Sequence, residues 1–242
     1  MVIIYIMTIL LSHKKKLIIE YTPKSNCTVI CKMFFKYLDL LETALDYHKW
    51  IHKYENEVYR KQVHQQPNQP HSQYVRLKFI RNPYDRAVSS YIHIMKNHYY
   101  NKWNLPNNMS FLTFLKKYKT VEHILYCRPE ADHVRPQTDR YHRGERFFNE
   151  IICVENLEEE IDRINNKYNI NLDCNFNSDH WASKNQNKSN KEFCGNLEWS
   201  KIEQLINEKA LPEYDCFYNQ ETKKLVESIY GSDIKLYNKY KK

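Results

Sequence analysis

Two short segments, residues 17–28 and 77–91, constrain the fold of this chain more than any other part of the sequence. Each begins with an apolar run typical of a buried strand, continues into a polar loop and then enters a helical pattern. Each also places a cation, Lys24 or Arg81, together with hydroxyl side chains where the start of a helix can bind an anion. The pair therefore predicts a site for a ligand that carries phosphate at both ends.

The rest of the sequence indicates how these segments are held. Strand patterns at 16–21, 73–80 and 150–154 alternate with helical patterns, which predicts an α/β protein with a mainly parallel central sheet and ligands at the carboxyl ends of its strands. At 242 residues and 42% hydrophobic content the chain can bury one core, so we expect a single domain over 1–242. We expect residues 1–15 to form a tail or an extra strand, residues 175–196 a mobile loop, and Gly231 to end a helix at 221–230.

Composition and spacing exclude several kinds of site. The three glycines, Gly144, Gly195 and Gly231, allow neither a Walker A loop nor a Gly-x-Gly-x-x-Gly fingerprint, which disfavours P-loop kinases and Rossmann dehydrogenases. Seven cysteines include no Cys-x-x-Cys pair, so the spacing predicts neither a zinc site nor a disulfide framework. A reducing compartment is the simpler inference from that cysteine usage.

The net charge of +8 favours anionic partners of several kinds. Because the basic residues are scattered among acidic ones, a dedicated nucleic-acid-binding role is disfavoured but stays open. The apolar run at 1–11 is too short for a hydrocarbon layer of roughly 30 Å. It also lacks the preceding basic residues of a signal peptide. We therefore expect a soluble, cytoplasmic protein without a membrane span.

Both loops resemble motifs of a known enzyme family. The Pro-Lys-x-x-Cys-Thr form at 23–28 is similar to the 5′-phosphosulfate loop of sulfotransferases that use 3′-phosphoadenosine 5′-phosphosulfate (PAPS). Arg81 with Ser89 is similar to their 3′-phosphate motif. Within the superfamily the resemblance is to the Golgi carbohydrate branch and its bacterial and viral relatives. It implies a P-loop-like three-layer α/β sandwich, PAPS as co-substrate and no metal.

The resemblance also implies roles for the first loop. Lys24 would neutralise charge that builds on the 5′ phosphate, while the backbone N–H groups of Ser25, Asn26, Cys27 and Thr28 and the Thr28 hydroxyl would hold its oxygens. The sequence departs from the family at Asn26, where glycine or alanine is usual. Asparagine tolerates left-handed backbone angles better than most residues, so we expect the turn to survive.

For the second half of the site, Arg81 and Ser89 are expected to bind the 3′ phosphate. Sulfuryl transfer also needs a base that takes the proton of the acceptor. Among eleven histidines we favour His64, which precedes the second strand. His133 is the other candidate, because its segment resembles a His-x-x-Pro-Gln element of the carbohydrate branch and would bind the acceptor or supply the base.

These observations predict a PAPS-dependent sulfotransferase that acts on a hydroxyl of a carbohydrate or similar acceptor and releases 3′-phosphoadenosine 5′-phosphate. Two alternatives stay open. One is a catalytically inactive protein of the same fold that binds a nucleotide or a glycan. The other is a basic nucleic-acid-binding protein, whose affinity would fall steeply with salt.

Overall fold

A computed structural model of the chain describes residues 9–64, 71–125, 129–139, 143–176, 186–187 and 192–242. The contacts divide the chain into two compact units. The first unit comprises residues 1–81, 138–178 and 240–242, and the second comprises residues 82–137 and 179–239. Whether these units act as the single expected domain stays a prediction.

The first unit contains a four-stranded sheet in the order β1-β2-β3-β4. Its strands are β1 (Ile9–Ser12), β2 (Leu17–Tyr21), β3 (Val75–Ile80) and β4 (Glu150–Cys153). The last three are parallel, while β1 pairs antiparallel with β2. The expected α/β class with a mainly parallel sheet is thus confirmed, and residues 9–12 form an added strand.

Among the described residues, helices alternate with the strands, and one helical stretch is a π-helix. A π-helical segment, Glu55–Tyr59, lies between the third and fourth helices, where the sequence pattern predicts plain helix. In chain order the helices are α1 (Cys27–Tyr37), α2 (Leu41–Tyr47), α3 (Ile51–Tyr54), α4 (Arg60–His64), α5 (Pro83–Lys96), α6 (Tyr99–Lys102), α7 (Phe111–Leu125), α8 (Leu157–Tyr168), α9 (Trp199–Asn207) and α10 (Gln220–Tyr240).

The core of the first unit forms between the sheet and α1, α3 and α8. All five residues of β2 are buried, as a parallel central strand requires. From α1, Ile30, Phe34 and Phe35 are fully buried, and α8 contributes Ile161 and Ile164. This packing fixes the end of β2 and the start of α1, and hence the loop between them.

A buried ion pair interrupts the apolar pattern of the sheet. Glu20 on β2 and Lys78 on β3 are partners in the strand register, and Lys78 Nζ donates to Glu20 Oε1 at 2.8 Å. Both side chains are almost completely buried. The backbone N–H of Arg143 also donates to Glu20, at 3.2 Å. Removing a charge from water costs free energy that an opposite charge must offset. Glu20 and Lys78 therefore stabilise the sheet only as a pair.

In the second unit, α5 lies in an aromatic core. The sequence pair Asn82-Pro83 is typical of a helix start, and α5 begins there: the Asn82 side chain is the N-cap and accepts a hydrogen bond from the Tyr84 N–H, with Pro83 at the first position. Tyr91 of α5 contacts an aromatic cluster formed by Phe111, Phe114, Trp199 and Phe217.

Residues 97–108 of the second unit contain α6 and bury Tyr100 and Trp103. The helix predicted to end at Gly231 does break there, because α10 consists of two helical stretches that meet at a kink at Tyr230 (φ −113°, ψ 24°). Gly231 does not adopt the left-handed conformation of a helix cap, and the second stretch continues to Tyr240. Buried Tyr230 holds this kink in place by donating to the carbonyl of Val134 at 2.7 Å.

Most of the expected mobile loop at 175–196 lies outside the described residues. Its described part includes the two-residue strand β5 (Gln186–Asn187), which pairs in parallel with β6 (Leu211–Pro212). Among the helices that the structure describes, none has the length and apolar character needed to cross a membrane.

Candidate active site

The loop between β2 and α1 has an unusual backbone without any glycine. Lys24 and Asn26 both adopt left-handed conformations, with φ of 70° and 59°, while Ser25 between them does not. Alternation of this kind turns neighbouring backbone N–H groups toward one side and forms an anion-binding concavity. Asn26 is the N-cap of α1, so the positive end of the helix dipole faces the same loop. The turn that we expected Asn26 to tolerate is therefore present.

Ser25 contacts Thr22 across the base of this loop. Its N–H donates to the Thr22 carbonyl at 3.1 Å, and its hydroxyl lies 3.0 Å from that of Thr22. The residue is fully buried. Ser25 thus shapes the loop, and a direct contact of Ser25 with phosphate stays a prediction. Thr28, half-buried in the first turn of α1, stays a candidate for that contact.

Arg81 joins the second motif to the first. Because β2 and β3 are parallel neighbours, with Tyr21 opposite Phe79, their carboxyl ends meet at one edge of the sheet. There Arg81 Nη1 donates to the backbone carbonyl of Lys24 at 2.9 Å. The two cations that the sequence predicts for opposite ends of one ligand therefore lie in contacting residues of one unit.

Ser89 belongs to the second unit, on α5, where it is buried. The neighbouring hydroxyl of Ser90 donates to the carbonyl of His133 at 2.5 Å. Ser90 thereby anchors the segment that contains one of the two histidines proposed as a base. A 3′-phosphate contact of Ser89 stays a prediction.

The two histidines proposed as bases lie in different units. His133 ends a 3₁₀ helix, Pro129–His133, and stacks on His93 of α5 with ring centroids 4.1 Å apart. Its Nδ1 lies 3.2 Å from the carbonyl oxygen of Glu130. His64 is the last residue of α4, and its side chain lies outside the described part of the structure.

A buried polar network that the sequence does not reveal adjoins the loop. Its centre is the Glu55 carboxylate, which is 1% exposed. The Tyr21 hydroxyl donates to it at 2.8 Å, His52 Nδ1 lies 2.7 Å from Oε2, and Arg60 forms an ion pair with Oε1. The Cys31 thiol donates to Oε2 at 3.3 Å.

The network changes the charge states of its members. Burial raises the pKa of the Cys27 thiol, but the positive charges of His52 and Lys24 outweigh it and lower that pKa to about 7. Burial likewise raises the pKa of Glu55, yet the His52 hydrogen bond and the Arg60 charge lower it to about 2. Burial lowers the pKa of His52, but Cys27 and Glu55 raise it above its ordinary value. The network therefore favours the protonated form of His52 beside the loop.

Short-range spacing contained a partial signal for this network. Cys27 and Cys31 are four residues apart on one helix, and His52 and Glu55 are three apart on another, so each pair shares a helix face. The cysteines alone suggested half-buried thiols. Their approach to His52 and Glu55 depends on the packing of α1 against α3 and on the π-helical segment that begins at Glu55.

The fold defines an α/β protein with a glycine-free loop of two left-handed residues at the carboxyl edge of a mainly parallel sheet. Comparison with protein-family models matches residues 7–241 to the Sulfotransferase family. The chain therefore belongs to the Sulfotransferase family, as the resemblance of its two loops indicated. No curated protein and no solved structure matches the chain.

Proposed function

We propose that this protein transfers the sulfuryl group of PAPS to a hydroxyl of a carbohydrate or a similar acceptor. The family supports sulfuryl transfer in general. The observation that supports the more specific proposal is the hydrogen bond from Arg81 to the Lys24 carbonyl, since it joins the two cationic residues that we propose for the two phosphates. PAPS has phosphate at its 5′ and 3′ ends, so two adjacent cationic sites suit it.

The residues of the first loop fit the electrostatic demand of the reaction. Sulfuryl transfer, like phosphoryl transfer, depends on alignment and on stabilising charge that develops on the leaving phosphate. Lys24 supplies a cation there, and the start of α1 supplies backbone N–H groups and the Thr28 hydroxyl. His52, whose protonated form is favoured by its contact with Glu55, would add positive charge behind the loop.

We propose that the base that takes the proton of the acceptor is a histidine whose neighbours do not favour its protonated form. His52 is less suited to that role, because its raised pKa and its hydrogen bond to Glu55 favour its protonated form. His64 and His133 stay the candidates. Replacing each by alanine should show which one matters, since loss of a general base lowers kcat typically 10²- to 10⁴-fold and changes its pH dependence.

Binding and transfer are tested separately. Calorimetry with 3′-phosphoadenosine 5′-phosphate should show one site, and Lys24→Ala or Arg81→Ala should weaken it. Incubation with ³⁵S-labelled PAPS and a panel of glycans should label at least one acceptor. Folded protein that gives no binding heat at high micromolar nucleotide would refute the donor. Saturable binding without any labelled product would instead identify an inactive binder of the same fold.

A further inference from the structure

We propose that Cys31, His52 and Glu55 form a binding site for a zinc-class divalent cation beneath the loop. These three residues, here called the metal-ligand cluster, each offer one ligand atom, and those atoms all lie within 4.8 Å of one another. Cys31 is completely buried, Glu55 is 1% exposed and His52 is 9% exposed. The proposal is independent of the sulfuryl donor and adds a metal that the cysteine spacing alone did not predict.

Two of the three distances between ligand atoms are within about 0.6 Å of those in a tetrahedral site. Glu55 Oε2 lies 2.7 Å from His52 Nδ1 and 3.3 Å from Cys31 Sγ. Ligands at zinc distances of about 2.0–2.3 Å stand roughly 3.3–3.6 Å apart in a tetrahedron. Oε2 and Nδ1 would therefore need to separate by only a few tenths of an ångström. Sulfur, imidazole nitrogen and carboxylate oxygen are the donor types that zinc accepts together.

A second observation points to a ligand at His52. Its Nε2 is buried and has no hydrogen-bond partner among the described residues. A buried polar atom without a partner destabilises the folded protein. A cation that bound the His52 ring at Nε2 would give this atom a partner and remove this destabilisation, whereas a cation at Nδ1 would fix the ring proton on Nε2 and leave it in place.

The surroundings of Glu55 are those of an outer coordination shell. Oε1 forms the ion pair with Arg60, the Tyr21 hydroxyl lies 2.8 Å from both carboxylate oxygens, and Oε2 contacts Cys31 and His52. Hydrogen bonds of this kind orient a ligating carboxylate. Glu55 is also the first residue of the π-helical segment, and such segments occur frequently at functional sites.

Charge balance is preserved when the cation enters. The Cys31 thiol and the protonated His52 each release one proton to solvent, and the cation forms bonds to the sulfur, the ring nitrogen and Oε2. The two charges gained with the cation equal the two protons lost, so the net charge of the cluster is unchanged. The bound cation would link α1 to α3 directly behind the Lys24 loop.

The first test uses the whole purified chain after removal of metal by a chelator. Zn²⁺ titrated against a chromophoric competitor should bind at one equivalent, and Co²⁺ should give a tetrahedral visible spectrum with a near-ultraviolet thiolate charge-transfer band. X-ray absorption of the zinc form should show one sulfur neighbour and otherwise nitrogen and oxygen. Absence of the Co²⁺ thiolate band in the folded wild-type chain would overturn the proposal, whatever the variants do.

Variants assign the site to these residues. Cys31→Ser and His52→Asn should weaken Zn²⁺ binding at least about 100-fold, and Tyr21→Phe, which removes an outer hydrogen bond, about 10- to 100-fold. Cys174→Ser, another cysteine of the same unit, is the matched control and should bind normally. If Cys31→Ser unfolds, Tyr21→Phe still tests the assignment. Unchanged affinity in the folded Cys31→Ser or Tyr21→Phe chain would show that the cation binds elsewhere and refute the site.

Discussion

The guanidinium of Arg81 donates a 2.9 Å hydrogen bond to the backbone carbonyl of Lys24. These residues are 57 positions apart in the sequence, yet the parallel pairing of β2 with β3 brings them together. The bond ties a loop with two left-handed residues to the end of the neighbouring strand. One side chain therefore serves both as a proposed ligand of the 3′ phosphate and as a support for the 5′ loop.

Replacing Arg81 with lysine tests this double role. Lysine keeps the charge but lacks the planar fork, so the contact with the Lys24 carbonyl and a bidentate phosphate contact cannot both form. Loss of a charge-assisted hydrogen bond of about 1.5–3 kcal/mol predicts binding of 3′-phosphoadenosine 5′-phosphate about 10- to 100-fold weaker. Calorimetry measures this. Arg76→Lys, at the other end of β3, should bind normally, and equal affinities of Arg81→Lys and wild type would contradict the assignment.

Lys24 offers a way to separate stability from function. Both Lys24→Gly and Lys24→Ala remove the ammonium group, so both should lose most sulfuryl transfer. Because φ at this position is 70°, glycine adopts the conformation without strain, whereas alanine does not. The glycine variant should therefore be more stable by about 1 kcal/mol. Urea unfolding of the two variants measures the difference, and a more stable alanine variant would mean that the left-handed turn is absent.

The Glu20–Lys78 pair predicts strong non-additivity. Lys78→Met leaves a buried carboxylate without its partner and should lower the free energy of unfolding by about 3–5 kcal/mol. The double variant Glu20→Gln/Lys78→Met should recover most of that loss, since the glutamine oxygen still accepts the Arg143 N–H. As a control, Lys36→Met breaks an exposed pair with Asp173 and should cost less than about 1 kcal/mol. Additive effects of Glu20→Gln and Lys78→Met would refute this account.

Glu150, the first residue of β4, predicts a pH dependence of stability. Burial raises its pKa, but hydrogen bonds from Arg163, Lys167 and Tyr168 lower it to about 2. A carboxyl whose folded pKa is depressed stabilises the protein above its ordinary pKa and loses this contribution as the pH falls toward the folded value. Its stabilising effect should therefore be complete above about pH 5 and disappear near pH 2.

The comparison of wild type with Glu150→Gln measures this contribution. Because Arg163 and Lys167 are partly exposed, we expect only about 1–2 kcal/mol at pH 7. Unfolding free energies of both proteins from pH 7 to pH 2 should converge as the pH falls. A difference that stays constant over this range would show that the carboxylate charge is not the source.

Several features followed from local sequence patterns alone. The apolar runs before both loops predicted β2 and β3 to within two residues. Asn82 and Pro83 predicted the start of α5, because an N-cap side chain followed by proline satisfies the first turn of a helix locally. The Lys24 and Arg81 motifs predicted the family by their residue types and order.

Other features were beyond local patterns. Gly231 predicted the break of α10 near Tyr230, but not the second helical stretch that continues to Tyr240 beyond the kink, where the Tyr230 hydroxyl donates to a carbonyl 96 residues away. The acceptor base stays a prediction for a related reason. Eleven histidines look alike in sequence, and only neighbours such as Glu55 decide which of them carries a proton.

The sequence by itself determined the strand–loop–helix units and the cations that follow each strand, since both depend on residues next to one another. Tertiary structure decided that Arg81 contacts Lys24 and that His52 and Glu55 meet Cys31. The physical reason is that parallel strand pairing and helix packing bring together groups distant in the chain. Burial then sets their charge states, because removing a group from water makes its pKa depend on the neighbours it meets there.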